Sequence, residues 1–177
     1  MMQTQETLIN VIQGDYVIST DPNAVLTTVL GSCIAVCLCD PVLKAGGMNH
    51  FLLPEGDASN AGNVRYGANA MELLINGLLK KGAERHRLEA KIFGGAKMMC
   101  NLRNIGASNA AFAHKFLKDE GIPCLAESVG GTSARRIRFW PTTGLVRQLL
   151  VQGNIDQVAP VKPVAPPVKT PEDILLF

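Results

Sequence analysis

Apolar positions along the chain fall into short runs separated by turn-forming residues, and the period of each run predicts its element. Residues 16–19 and 25–29 are rich in β-branched side chains and read as short strands, separated by Asp21-Pro22-Asn23. Residues 34–39 are apolar without interruption and stop at Asp40-Pro41, the pattern of a strand buried on both faces. Residues 46–53 form a further strand candidate. Pro54, Gly56, Asp57, Ser59, Asn60 and Gly62 then mark a loop. Over residues 67–81 the pattern changes. Ala70, Met71, Leu74, Ile75, Leu78 and Leu79 recur at helical spacing, with Lys80 and Lys81 at the C-terminal end and Gly82 as cap. A second helix is predicted over residues 108–120, with Phe112, Phe116 and Leu117 inward and Gly121 closing it. Strands are predicted at 90–93, 124–127, 135–140 and 145–151, the last two joined by the hairpin signal Pro141-Thr142-Thr143-Gly144.

This order predicts a single α/β (α+β) layered sandwich, with mixed and antiparallel sheets flanked by two or three helices. Residues 1–14 read as a polar lead-in, 15–152 as the folded domain, and 153–177 as a Pro-rich tail. Five prolines fall within residues 159–171, a composition that favours a semi-rigid polyproline spacer. The tail ends in PEDILLF, which fits either a frayed end or a tethered docking peptide, because four apolar residues at a terminus are not normally left exposed.

Composition narrows the function classes. A formal net charge of +2, with no basic run interleaved with aromatics, gives no support for nucleic-acid binding. No apolar stretch is long enough to span a bilayer, and the N-terminus lacks the basic and apolar regions of an export signal. The expected setting is therefore cytoplasmic and reducing, and the five cysteines are expected as thiols. Neither GxxxxGK[ST] nor GxGxxG appears, so no nucleotide cofactor is expected.

Three cysteines, Cys33, Cys37 and Cys39, stand within LGSCIAVCLCD. A zinc site is disfavoured because two of them lie inside a strand-like run, where the backbone cannot curl round an ion. Cys37 and Cys39 read as small buried hydrophobes. Cys33 differs: it follows Leu30-Gly31-Ser32 at a turn, where a thiol can stand at the mouth of a sheet beside backbone N–H groups of Ser32 and Cys33 suited to an oxyanion. Such a thiol needs a base. His86 sits among charged residues, and the face of His114 is ambiguous. His50 lies on the strand expected to run back antiparallel to 34–39, which would return it toward Cys33. Both a Cys–His pair and a satisfied core histidine fit this placement. The hydroxyls near enough in sequence to orient the ring belong to Thr27, Thr28 and Ser32.

The segments LTTVLGSCIAVCLCDP, GGMNHFLLP, RYGANAMELLINGLLKKGA, AKIFGGAKM, NIGASNAAFAHKFLKDEGIP and GGTSARRIRFWPTTG together resemble the CheD family, bacterial chemoreceptor glutamine deamidases, over about residues 16–151. The resemblance implies a cytoplasmic hydrolase that converts particular glutamine side chains on methyl-accepting chemotaxis receptors to glutamate and ammonia. It needs no cofactor or metal. Carried over by position, it implies Cys33 as nucleophile, His50 as base and Thr27, six residues before the cysteine, as the group that orients the ring. Expected partners are the cytoplasmic helices of the receptors and a CheC-like phosphatase, with the tail as a candidate docking motif for a receptor or adaptor. A non-catalytic receptor-binding adaptor on the same fold is the competing expectation. Gly94-Gly95 and Gly130-Gly131-Thr132 are equally rim loops or tight turns, and Arg136 and Arg138 read first as solvated surface charge and second as contacts for an acidic partner.

Overall fold

The computed structural model describes residues 5–53, 61–98, 104–151 and 174–177. The 54–60 loop and the Pro-rich part of the tail, both singled out from sequence, lie outside these residues, as does Cys100. Among the described residues, ten strands and two α-helices are formed. The strands are β1 (Thr7–Asn10), β2 (Tyr16–Ser19), β3 (Ala24–Leu30), β4 (Ile34–Asp40), β5 (Ala45–Asn49), β6 (Glu89–Gly94), β7 (Cys124–Val129), β8 (Ala134–Trp140), β9 (Leu145–Val151) and β10 (Ile174–Leu176). The helices are α1 (Ala61–Lys80) and α2 (Ile105–Asp119), with a one-turn 3-10 segment at Arg85–Arg87.

Two mixed five-stranded sheets result, in the orders β1-β3-β8-β9-β10 and β2-β5-β4-β6-β7. The uninterrupted apolar run of β4 is explained by its position between layers. Ile34, Val36 and Leu38 pack with Met71, Leu74 and Ile75 of α1 and with Phe112 and Leu117 of α2. Ala35, Cys37 and Cys39 face the other way, against Leu26, Ile137, Phe139 and Val146 of the opposite sheet. The domain is thus helices on sheet on sheet, an α+β layered sandwich in agreement with the expectation. Each large apolar side chain fully removed from water in these two cores contributes about 1.5–3 kcal/mol.

Both helices begin earlier than the apolar period predicts. α1 buries Asn63, Gly67, Met71, Leu74, Ile75 and Leu78, so its inward stripe includes an asparagine and a glycine that a hydrophobic count passes over. α2 starts at Ile105 because the Asn104 side chain accepts the Ala107 N–H at 3.1 Å and caps the first turn.

Two corrections concern the ends of the chain. Residues 7–10, within the segment read as a lead-in, form β1, which pairs in parallel with β3 (Thr7 with Ala24, Asn10 with Thr27). At the other end, Ile174–Leu176 pairs antiparallel with β9, and Phe177 exchanges both backbone hydrogen bonds with Val146. The Phe177 ring meets Phe93 edge-on, with centroids 5.4 Å apart. The last four residues are therefore part of the sheet and neither frayed nor free.

Candidate functional site

Strands β4 and β5 run antiparallel, and their register (Cys37 opposite Met48) continues through an Ile34–Phe51 bridge whose two hydrogen bonds are each 2.9 Å. That register sets Ala35 opposite His50. It therefore places the Cys33 and His50 side chains on one face of the sheet, diagonal to one another. Both face the second sheet, whose β3 lies across the gap. There the alternation of β3 decides which threonine is met. Thr28 is buried between Leu26 and Leu30, and its hydroxyl lies 3.0 Å from His50 Nδ1. Thr27 points to the outer face, where its hydroxyl donates to the Ile137 carbonyl at 2.8 Å. The structure thus brings Cys33, His50 and Thr28 to one place, and Thr27, the threonine implied by family spacing, is not among them. The physical reason is strand parity: one residue of shift reverses the face.

The hydrogen bonds around His50 fix its tautomer. The Val11 carbonyl, which can only accept, is 3.2 Å from Nδ1, so Nδ1 carries the proton. The Thr28 hydroxyl donates its own proton to the same carbonyl at 2.8 Å, which leaves its oxygen free to accept from Nδ1. Nε2 therefore holds the lone pair. It is buried and has no hydrogen-bond partner among the described residues. Burial lowers the His50 pKa below the usual histidine value, partly offset by the Val11 carbonyl, so the ring is neutral at pH 7.

The turn that carries Cys33 is anchored by its carbonyls. Gly31 accepts from Ala96 N–H at 2.9 Å, Ser32 from the Asn109 side-chain amide at 2.9 Å, and Cys33 from Gly95 N–H at 2.8 Å. In a trans peptide the N–H points opposite the C=O. The amides of Ser32 and Cys33 consequently turn away from α2 and the Ala96 loop. The two glycine loops prove to be buttresses of this turn. Gly130 N–H donates to Gly94 carbonyl at 3.0 Å, and Lys97 N–H to Gly131 carbonyl at 2.8 Å. Gly94 has φ +113°, and a Cβ there would overlap the Cys33 carbonyl. Arg135, 4% exposed, braces the same region by donating to the Ser128 and Gly130 carbonyls, whereas Arg136 and Arg138 are exposed.

Cys33 itself is part-buried, and burial raises its pKa to about 11, its own backbone N–H pulling the other way. The thiol donates to the side-chain carbonyl oxygen of Gln13 at 3.3 Å. Cys37 and Cys39 are buried in the inter-sheet core as expected, with thiol pKa values raised chiefly by burial. Beside His50, a shallow pocket is lined by Tyr16, Asn49, Tyr66, Asn69 and Leu73. Tyr16, Tyr66 and Leu73, with Ile12 nearby in sequence, are exposed apolar side chains.

The other two histidines make different contacts. His86 is exposed and 3.3 Å from Glu84. His114 on α2 pairs with Glu127 at 2.5 Å. A bulge in β7 (Ala90 opposite Cys124, Lys91 opposite Ala126) turns Cys124 and Glu127 to the same side. As a result the ligand atoms of His114, Cys124 and Glu127 lie within 4.8 Å of one another, at the surface. Sequence reasoning missed Val11, Gln13, Asn109 and Arg135, and offered Thr28 without choosing it over Thr27. Only Thr28 had a local signal, as one of two adjacent threonines.

A thiol at a braced turn, an imidazole with its lone pair inward and a hydroxyl on its far nitrogen define a Cys–His–Thr constellation on a layered α+β domain. The family model described as CheD chemotactic sensory transduction matches residues 52–149. That match begins just after His50, but full-length relatives include the constellation's part of the chain. A protein named "Probable chemoreceptor glutamine deamidase CheD" from Caulobacter sp. (strain K31) is 58% identical over 173 residues, 96% of this chain and 92% of its own. One of the same name from Agrobacterium fabrum (strain C58) is 50% identical over 181 residues, all of both chains. Among solved structures, the Bacillus licheniformis hypothetical protein YfiH aligns over 71% of this chain and 60% of its own, at 14% identity and a TM-score of 0.43. The chain belongs to the CheD family.

Proposed function

We propose that this protein is a cysteine-dependent glutamine deamidase acting on side-chain amides of chemotaxis receptors in the cytoplasm. The observation that carries the reading is the His50 tautomer. The Val11 carbonyl and Thr28 hydroxyl hold the proton on Nδ1, so the unpartnered lone pair of Nε2 faces the layer that also holds Cys33.

His50 Nε2 takes the Cys33 thiol proton as sulfur attacks the glutamine Cδ, which forms the C–S bond and moves the carbonyl electron pair onto oxygen. The amides of Ser32 and Cys33 donate to that oxyanion. Collapse breaks the C–N bond, and the imidazolium returns its proton to the departing nitrogen, releasing ammonia and leaving a γ-glutamyl thioester. Water then attacks the thioester while Nε2 takes its proton, and glutamate and the thiol are regenerated. Thr28 acts throughout by keeping the ring's orientation and accepting from Nδ1 in both charge states. It brings no second negative charge, so it favours imidazolium less than a carboxylate in its place.

The apolar side chains around the His50 pocket suit a helix surface laid across an open face better than a small free amide. The adaptor reading draws on one observation: at a pKa of about 11 the Cys33 thiol is protonated at neutral pH. The deciding experiment is ammonia release from a purified receptor cytoplasmic domain, with mass-spectrometric mapping of Gln-to-Glu changes, for wild type and Cys33→Ala. Deamidation by wild type alone supports the proposal. Equal activity in both removes the nucleophile. Binding without deamidation by either, across a panel of receptors, favours the adaptor.

A further inference from the structure

The segment between β1 and β2 is fastened to the site at every step. Val11 N–H donates to the Thr27 carbonyl at 2.9 Å, Gly14 N–H to the His50 carbonyl at 2.7 Å, and His50 N–H to the Asp15 carbonyl at 3.1 Å. Asp15 N–H closes on the Ile12 carbonyl at 3.0 Å, and Gly14 has φ +93°, so residues 12–15 form a β-turn with glycine at its third position and Gln13 at its second. The apex of this turn presents a glutamine carboxamide to Cys33. The thiol hydrogen bonds to Gln13 Oε1 at 3.3 Å, and the His50 Nε2 lone pair, on the same face, is left without a donor.

We propose that Gln13 is a built-in occupant of the carboxamide position at Cys33, holding the thiol turned away from His50 until a substrate glutamine displaces it. The proposal rests on the deamidase reading above for the identity of the displacing group. Two observations support it independently: the thiol has found an acceptor of the substrate's own chemical type, and the nearby buried base lacks a donor. Gln13 is a positioning residue, not a catalytic one. Its contact is a thiol hydrogen bond directed at the carbonyl oxygen, whereas attack requires sulfur above the carbonyl carbon, so the geometry occupies the site without reacting in it. The backbone of the turn is held by its hydrogen bonds, but the Gln13 side chain is exposed and can swing outward once its hydrogen bond with Cys33 is replaced. Entry of a substrate amide then leaves Nε2 as the acceptor for the thiol proton.

The test compares full-length wild type, Gln13→Ala and Gln13→Asn, the last one methylene too short to make the contact. Two readouts are taken: the rate of Cys33 alkylation by iodoacetamide, mapped by mass spectrometry, and kcat and KM for deamidation of a receptor cytoplasmic domain. Loss of one net hydrogen bond predicts about three- to tenfold faster Cys33 alkylation in both variants. KM should fall by a similar factor at unchanged kcat, with an unchanged Tm showing that the turn still folds. Alkylation within a factor of about two of wild type in both variants overturns the proposal, even if every protein deamidates the receptor normally. Faster alkylation in variants that never deamidate any receptor supports the occupied thiol while refuting the deamidase reading. Conversion of Gln13 itself to Glu in wild type also overturns it, since the segment would then be a substrate.

Discussion

Adjacent threonines on one strand offer an internal control for the site's chemistry. Thr28→Val removes the hydroxyl that accepts from His50 Nδ1 at 3.0 Å while keeping the branched shape that packs between Leu26 and Leu30. Thr27→Val removes a hydroxyl whose partner is the Ile137 carbonyl, on the outer face. In the proposed mechanism His50 becomes an imidazolium during turnover, and a hydrogen bond from a charged donor contributes about 1.5–3 kcal/mol. At 1.4 kcal/mol per factor of ten, Thr28→Val should lower kcat by about 10- to 150-fold. The Val11 carbonyl still accepts from Nδ1, so the tautomer survives and the loss stays well short of that in Cys33→Ala. Thr27→Val should leave kcat within about twofold, because its hydroxyl touches no group of the site and the Ile137 carbonyl belongs to the β3–β8 ladder. The assay is initial-rate ammonia release at saturating receptor domain, with Tm measured alongside to confirm that both variants fold. An inactive Thr27→Val beside an active Thr28→Val would refute the reasoning and restore the threonine implied by family spacing.

Further expectations concern titration and packing. The proposed mechanism requires neutral His50, whose pKa is lowered by burial, so the acid limb of kcat/KM should lie below 6.5; a limb above 6.5 would contradict the buried neutral ring. Wild-type Cys33 alkylation should climb with pH toward a midpoint of about 11, and a plateau by pH 8 would show a thiolate already formed. Asp40 is buried and accepts from Val42, Leu43 and Glu84 N–H and from Arg87, and the Arg87 contact with these backbone donors holds its pKa at about 2 against the cost of burial. In the window between 3.8 and about 2 the unfolded chain binds the extra proton, so stability falls as pH falls. Asp40→Asn should lower Tm at pH 7 and remove this part of the acid sensitivity, as read from urea midpoints at pH 7, 4 and 3. Gly94→Ala meets both a positive φ and the Cys33 carbonyl, so it should reduce soluble yield or, if folded, abolish deamidation.

Local pattern made much of this molecule legible. The apolar run of β4 and its stop at Asp40-Pro41, the β9 strand, the 141–144 turn and the two helix faces all follow from residue type and period. The placement of Cys33 and His50 on returning strands also followed, because a short connection between antiparallel strands admits one arrangement. The threonine did not. In VLTTVL both alternations are apolar, Val25 and Val29 around Thr27 and Leu26 and Leu30 around Thr28, so sequence cannot choose the inward face. Only pairing with β8 settles it. β1 escaped notice for a related reason: it is short and largely exposed, and its place is fixed by parallel pairing with a strand more than ten residues away. Val11 acts through its backbone carbonyl, for which no side-chain pattern exists. Gln13 and Asn109 are polar residues whose partners lie 20 and 77 positions distant.

The outermost strands have a bearing on how the molecule behaves in concentrated solution. One sheet is bounded by β1, four residues, and β10, three; the other by β2, four residues, and the bulged β7. An exposed strand recruits like strands from neighbouring chains in proportion to its length and flatness, and none of these borders is both long and flat. Without β10, the seven-residue β9 would become a border offering a regular row of unpaired amides and carbonyls. The final ILLF residues thus act as a seal against edge-to-edge self-association, and a chain ending at Val151 should show rising light scattering with concentration where the whole chain stays clear.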